Sequence, residues 1–223
     1  MISHKHKCIF LHIPKCAGTT VNQLISDNKN FNYLEPDYEY LYGWCPERKL
    51  FMQHATIEEL IETDLISNEI WNSYNKFTII RNPWERLISS YNWIKSNLSI
   101  KGNLNDFIEL RNEFSKIKNL DPKTYRKDHL KAQSEFIFYK NYSLNNIYRF
   151  EDLHKIDFKK ILNRDYIEIY HLKKSKKRKH YSNYYSKKQE DIIGKLYIND
   201  IKSFNFQFED KRSFLSKLKN LFE

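Results

Sequence analysis

The residues of this chain best able to do chemistry fall in two short runs with one isolated histidine between them. The first run, residues 12–20 (HIPKCAGTT), sets Lys15, Thr19 and Thr20 around a single glycine, Gly18. Glycine allows a backbone to approach a ligand closely, N–H groups and hydroxyls at the start of a helix donate to anions, and lysine adds a point charge. The run therefore reads as a phosphate loop. It departs from the ATP-binding kind, which needs G-x-x-x-x-G-K-[ST], because Lys15 comes before Gly18 and no glycine precedes it, and this weakens a kinase or GTPase reading. A G-x-G-x-x-G dinucleotide fingerprint is excluded too, because the only glycines are Gly18, Gly43, Gly102 and Gly194. In the second run, residues 81–91 (RNPWERLISSY), Arg81 offers a planar fork and Ser89 a hydroxyl further along, a pair suited to a terminal phosphate. Between the runs stands His54, in FMQHAT, a side chain type that titrates near neutrality and commonly serves as a general base. Glu35 and Asp37 are the alternatives, and His12 is disfavoured because it falls inside the first predicted strand.

The elements that must position these groups can be read from pattern. Residues 8–12 (CIFLH) form a short apolar run expected to be a buried parallel strand. Val21, Leu24 and Ile25 then share helical spacing, with Thr19 or Thr20 as the expected cap. Residues 27–50, rich in Asn, Tyr, Asp and Pro, read as a long surface excursion, followed by a strand at 51–55 and a helix over 57–63. Residues 77–81 (FTIIR) are the next strand. Asn82 as cap and Pro83 at the first helical position open the best-defined helix, with Leu87, Ile88, Tyr91 and Ile94 on one face. Glu85 and Arg86 are expected to pair on its exposed side, and Trp84 and Trp93 to stack on a sugar or pack inside. Helices over 104–115, 129–139, 151–162 and 187–199 and a strand at 146–150 complete the alternation. This predicts an α/β fold: one domain over residues 1–223, with a central parallel sheet flanked by helices on both faces.

Composition narrows the partners. The net charge is +10, but residues 173–188 hold eight Lys/Arg and no acid, leaving about +2 for the rest. So local a basicity suits the edge of a small-polyanion site or an anionic polymer better than a nucleic-acid face. Cys8, Cys16 and Cys45 show no paired spacing, no apolar run reaches 18 residues, and the first strand begins by Cys8, so the expectation is a cytoplasmic protein without disulfides, signal peptide or membrane anchor. A terminal amphipathic helix with Phe214, Leu215, Leu218, Leu221 and Phe222 is expected to dock on its own domain, with peripheral membrane contact as the alternative.

Taken together, the two runs resemble the carbohydrate sulfotransferases that use 3′-phosphoadenosine 5′-phosphosulfate (PAPS), in particular the group of heparan sulfate 2-O-sulfotransferase and its bacterial relatives. QSEFI (133–137), YRFEDL (148–153) and LYINDIKSFNF (196–206) are similar to the C-terminal half of that family. The resemblance implies a P-loop-like sulfotransferase fold and sulfuryl transfer from PAPS to a carbohydrate hydroxyl, with no obligatory metal. It implies that Lys15, Cys16, Ala17, Gly18, Thr19 and Thr20 hold the 5′-phosphosulfate, with Lys15 also on the leaving oxygen, and that Arg81 and Ser89 hold the 3′-phosphate. It implies further that the basic loop covers the nucleotide, through Lys177, Arg178 or Lys179 and with Tyr181 near the adenine, and that His54 is the base. A P-loop-like kinase and a non-catalytic polyanion binder are the rival expectations.

Overall fold

A computed structural model describes residues 1–164 and 179–213. The chain opens with β1 (Ile2–Ser3) and β2 (Cys8–Leu11), whose residues are all buried, and after a short loop enters α1 (Gly18–Ile25). A two-residue hairpin, β3 (Trp44–Cys45) and β4 (Leu50–Phe51), leads through a 3-10 turn at Met52–His54 into α2 (Ile57–Glu62) and α3 (Asn68–Ser73). Next come β5 (Asn75–Ile80) and the long α4 (Pro83–Asn97). The remaining elements are α5 (Leu104–Ile108), α6 (Gln133–Ile137), β6 (Asn146–Arg149), α7 (Phe158–Leu162), α8 (Lys187–Leu196) and α9 (Ile198–Phe204).

The main sheet has the order β1-β2-β5-β6. β2 and β5 run parallel, with Leu11 opposite Thr78, and β5 and β6 run parallel, with Ile80 opposite Arg149. Only β1 is antiparallel. The predicted α/β fold with a mostly parallel central sheet is thus observed, and its register sets the loops after β2, β5 and β6 side by side. Open parallel sheets bind ligands at this carboxyl edge. The apolar residues of β2 and β5 pack with Val21, Leu24, Ile25, Ile57 and Leu60 in one core, while Trp84, Leu87, Ile88 and Ile94 of α4 pack with Ile193 and Tyr197 in a second.

Several predicted elements are shorter than their periodicity suggested, for local reasons. The strand expected at 51–55 ends at Phe51, because Met52–His54 coil into a 3-10 turn that the Ala55 N–H closes on the Met52 carbonyl at 3.2 Å. The helix expected at 104–115 breaks because Leu110 and Asn112 take positive φ, and a 3-10 helix, Asn112–Lys118, follows. The 129–139 helix divides into a 3-10 turn at Lys127–Leu130 and α6. That at 151–162 divides into a 3-10 segment, Phe150–Lys155, and α7, which Asp157 caps. At Tyr197, φ −110° and ψ 31° separate α8 from α9. Residues 27–50 are not wholly superficial: Leu41, Trp44, Cys45 and Leu50 are buried. Cys8, Cys16 and Cys45 are free thiols. Among the described residues no helix is long and apolar enough to cross a membrane. The predicted helix over residues 214–222 and most of the basic run lie outside the described residues.

Candidate active site

The loop after β2 is bent by two non-glycine residues in the left-handed region, Lys15 (φ 68°) and Ala17 (φ 61°). Such residues cost on the order of 1–3 kcal/mol each and persist where the surroundings demand them. Ala17 occupies the cap position of α1 and makes no side-chain cap, so the expectation that Thr19 or Thr20 caps this helix is corrected: both sit inside its first turn. Thr20 and Val21 donate to the Ala17 carbonyl, leaving the N–H groups of Gly18 and Thr19 ahead of the first helical acceptor. The glycine has a steric cause, for a Cβ on Gly18 would lie 1.5 Å from Nε2 of His12. His12 thus belongs to the site as packing, its ring stacked 5.4 Å from Phe10 and 4.5 Å from the ring of His54.

The second run meets the first directly. Arg81 follows β5, and its Nη1 donates to the Lys15 carbonyl at 3.2 Å, while Nη2 pairs with Glu85 at 2.6 Å and the guanidinium lies 4.1 Å from the centre of the Phe150 ring. Its backbone is held as firmly. The buried side chain of Gln133 accepts from the Arg81 N–H and donates to the Arg81 carbonyl, both at 2.8 Å. Fully buried Asp200 in turn accepts from the N–H groups of Gln133 and Ser134, capping α6, and the Cys16 thiol lies 3.6 Å from Oε1 of Gln133. One glutamine therefore fastens both runs. Glu85 and half-buried Ser89 lie four residues apart on one side of α4, the side that Arg81 meets through Glu85.

The expected surface pair of Glu85 and Arg86 does not form. Arg86 is 1% exposed, donates to the Lys131 carbonyl and lies against Tyr197, whereas Glu85 turns to Arg81. Adjacent helical residues point about 100° apart, which forbids the predicted pair. Trp84 is buried and donates to the Glu190 carbonyl. Trp93 belongs to the site: Lys15 Nζ lies 5.1 Å from its ring centre, and His129 stacks on it at 4.9 Å.

His54 ends the 3-10 turn after β4 and is placed beside the loop after β2, its Nδ1 3.0 Å from the His12 carbonyl. The neutral ring donates there, which directs its lone pair to Nε2. Burial holds its pKa down to about 3, helped by the charges of Arg126 and Lys15 and opposed by the bond to His12. Asp37 is engaged elsewhere, paired with Lys29 at 2.7 Å, and Glu35 is exposed. Tyr181 is buried, its hydroxyl accepting from the Glu209 N–H at 2.7 Å and lying 3.5 Å from Asn82 Nδ2. Lys179 is exposed, and Lys177 and Arg178 lie outside the described residues.

Pattern reading missed Gln133 as the clamp on Arg81, Asp200 behind it, and Asp128 and His129 beside His54. A ring nitrogen of His54, one of His129 and a carboxylate oxygen of Asp128 all lie within 4.8 Å of one another. The adjacent acid and histidine at 128–129 were a signal, but nothing local tied them to residue 54.

Residues 1–207 match the model of a family described as the Sulfotransferase family. No curated protein and no solved structure gives a significant match.

Proposed function

The chain belongs to the sulfotransferase family and so is a sulfuryl transferase, and we propose that its donor is PAPS and its acceptor a carbohydrate hydroxyl, on a polysaccharide, oligosaccharide or glycolipid precursor. The observation that carries the donor reading is the bond from Arg81 to the Lys15 carbonyl, which makes one continuous anion-binding edge of the loops after β2 and β5. A nucleotide with phosphate at both its 3′ and 5′ positions has charge to match both parts. Lys15 with the N–H groups and hydroxyls of Gly18, Thr19 and Thr20 would hold the 5′ end, and Arg81 with Ser89 the 3′ end.

In the transfer, the acceptor oxygen bonds to sulfur in line while the bond from sulfur to the bridging oxygen breaks, its electron pair leaving on the 5′-phosphate. Lys15 offsets the charge growing there. The acceptor proton passes to Nε2 of His54, which is free of any proton at neutral pH. A positioned base of this kind is worth roughly 10²–10⁴-fold in rate. The free thiols of Cys8, Cys16 and Cys45 support a reducing, cytoplasmic setting.

The test is transfer of labelled sulfuryl from PAPS to a panel of oligosaccharides and glycolipid precursors, with wild type beside His54→Ala. Labelled product from wild type alone is expected, and equal turnover by both proteins would move the base elsewhere. 3′-Phosphoadenosine 5′-phosphate should raise the melting temperature at micromolar concentration while ATP with Mg²⁺ does not. Stabilisation by ATP would favour a kinase.

A further inference from the structure

A base as weak as His54 needs help to carry a proton, and the structure holds one candidate for it. We propose that Asp128 is the positioning residue of this reaction, its carboxylate answering the imidazolium that forms at His54 while His129 holds that carboxylate in place; this rests on the reading of His54 as base.

Asp128 and His129 are each 4% exposed. The His129 N–H donates to Oδ1 of Asp128 at 3.0 Å, which fixes the carboxylate, and Oδ2 is buried with no hydrogen-bond partner. Nδ1 of His129 is likewise buried and unpartnered. Leaving such an atom unsatisfied is unfavourable, so two on adjacent residues of a cluster whose ligand atoms lie within 4.8 Å of one another point to a shared proton. His129 also stacks on Trp93, over which Lys15 lies, so the cluster adjoins the sulfuryl end of the donor site.

The charges facing the cluster from its other neighbours are mostly positive. Lys15 and Arg126 act on His54, the nearby Met1 amine is itself held down to about 5 by burial, and His12 packs against the ring. Lys15, Arg126, Arg86 and His54 act on His129. Arg126, Lys131 and Glu59 act on Asp128. Glu59 is engaged by Lys131 at 2.6 Å, which leaves Asp128 as the carboxylate within the trio able to balance a proton on His54. Burial pushes the Asp128 carboxyl up to about 7. Below that pH it carries a proton and cannot act as counter-charge. Above it the carboxylate is ionised, and the proton taken from the acceptor gives an ion pair rather than a lone buried cation.

The test uses the full chain, with PAPS and an acceptor it turns over, across pH 5–9. For wild type, kcat should fall on the acid side with an apparent pKa near 7. Asp128→Asn should lower kcat by about 10²-fold and abolish that limb, with KM and the melting-temperature rise from 3′-phosphoadenosine 5′-phosphate unchanged. In the double variant with His54→Ala the loss should be no larger than for His54→Ala alone, as for groups acting as one unit. Asp128→Asn within threefold of wild type while His54→Ala is inactive overturns the proposal and spares the base. Full activity in His54→Ala overturns the base reading itself. If Asp128→Asn does not fold, the wild-type profile decides alone: an acid limb below pH 5, or none, overturns the proposal.

Discussion

Gly18 lies against the ring of His12, and replacing it by alanine gives a prediction whose size follows from the packing. The added Cβ would lie 1.5 Å from Nε2 and 2.1 Å from both Cδ2 and Cε1 of the His12 ring. That ring has little room to retreat, with Phe10 stacked 5.4 Å away and the ring of His54 at 4.5 Å. Inserting one methyl into packed surroundings usually destabilises by 1–3 kcal/mol, and so deep an overlap puts this case at about 2–3 kcal/mol. For a chain of this length that is a fall of roughly 4–12 °C in Tm. The assay is thermal unfolding of wild type, Gly18→Ala, His12→Ala and the double variant. If the clash is with the imidazole, Gly18→Ala should lose less than half as much Tm in the His12→Ala background as in wild type. A fall of the same size in both backgrounds would refute the argument, as would no fall at all.

Three further outcomes are expected. Gln133→Leu strips the partners from the N–H and carbonyl of Arg81 and should lower stability by about 2–4 kcal/mol in urea unfolding, a loss below ~1 kcal/mol counting against the clamp. Glu85→Gln frees the Arg81 fork from a competing carboxylate and should tighten binding of 3′-phosphoadenosine 5′-phosphate in calorimetry, whereas weaker binding would mean that the pair shapes the site. Burial holds His12 and His129 neutral to well below the usual imidazole range. The unfolded chain therefore takes up protons that the native one refuses, and stability should fall as pH drops below about 6.5, by up to ~1.4 kcal/mol per pH unit for each histidine. Stability that is flat from pH 7 to 5 would contradict this.

What the sequence disclosed follows from the range of the forces involved. Lys15, Gly18 and Arg81 were legible because each lies within a few residues of a strand-to-helix turn whose apolar pattern marks it. Asn82 and Pro83 were legible for the same reason, and both open α4 as expected. Arg86 was misjudged because local polarity gave no sign that a guanidinium would be buried against Tyr197, more than a hundred positions away. Gln133 meets Asp200 across a separation of 67 residues, and Asp128 meets His54 across a comparable span, so only the assembled sheet edge brings them together. Elements whose ends depend on such contacts, α6 above all, were the ones read too long.

The account stands on one nucleotide bridging the loops after β2 and β5. A crystal structure with 3′-phosphoadenosine 5′-phosphate bound tests this most directly. The 5′-phosphate should lie within hydrogen-bond reach of Lys15 and the first-turn N–H groups of α1, and the 3′-phosphate within reach of Arg81 and Ser89. A nucleotide bound elsewhere, or a 3′-phosphate without contact to Arg81, would contradict it.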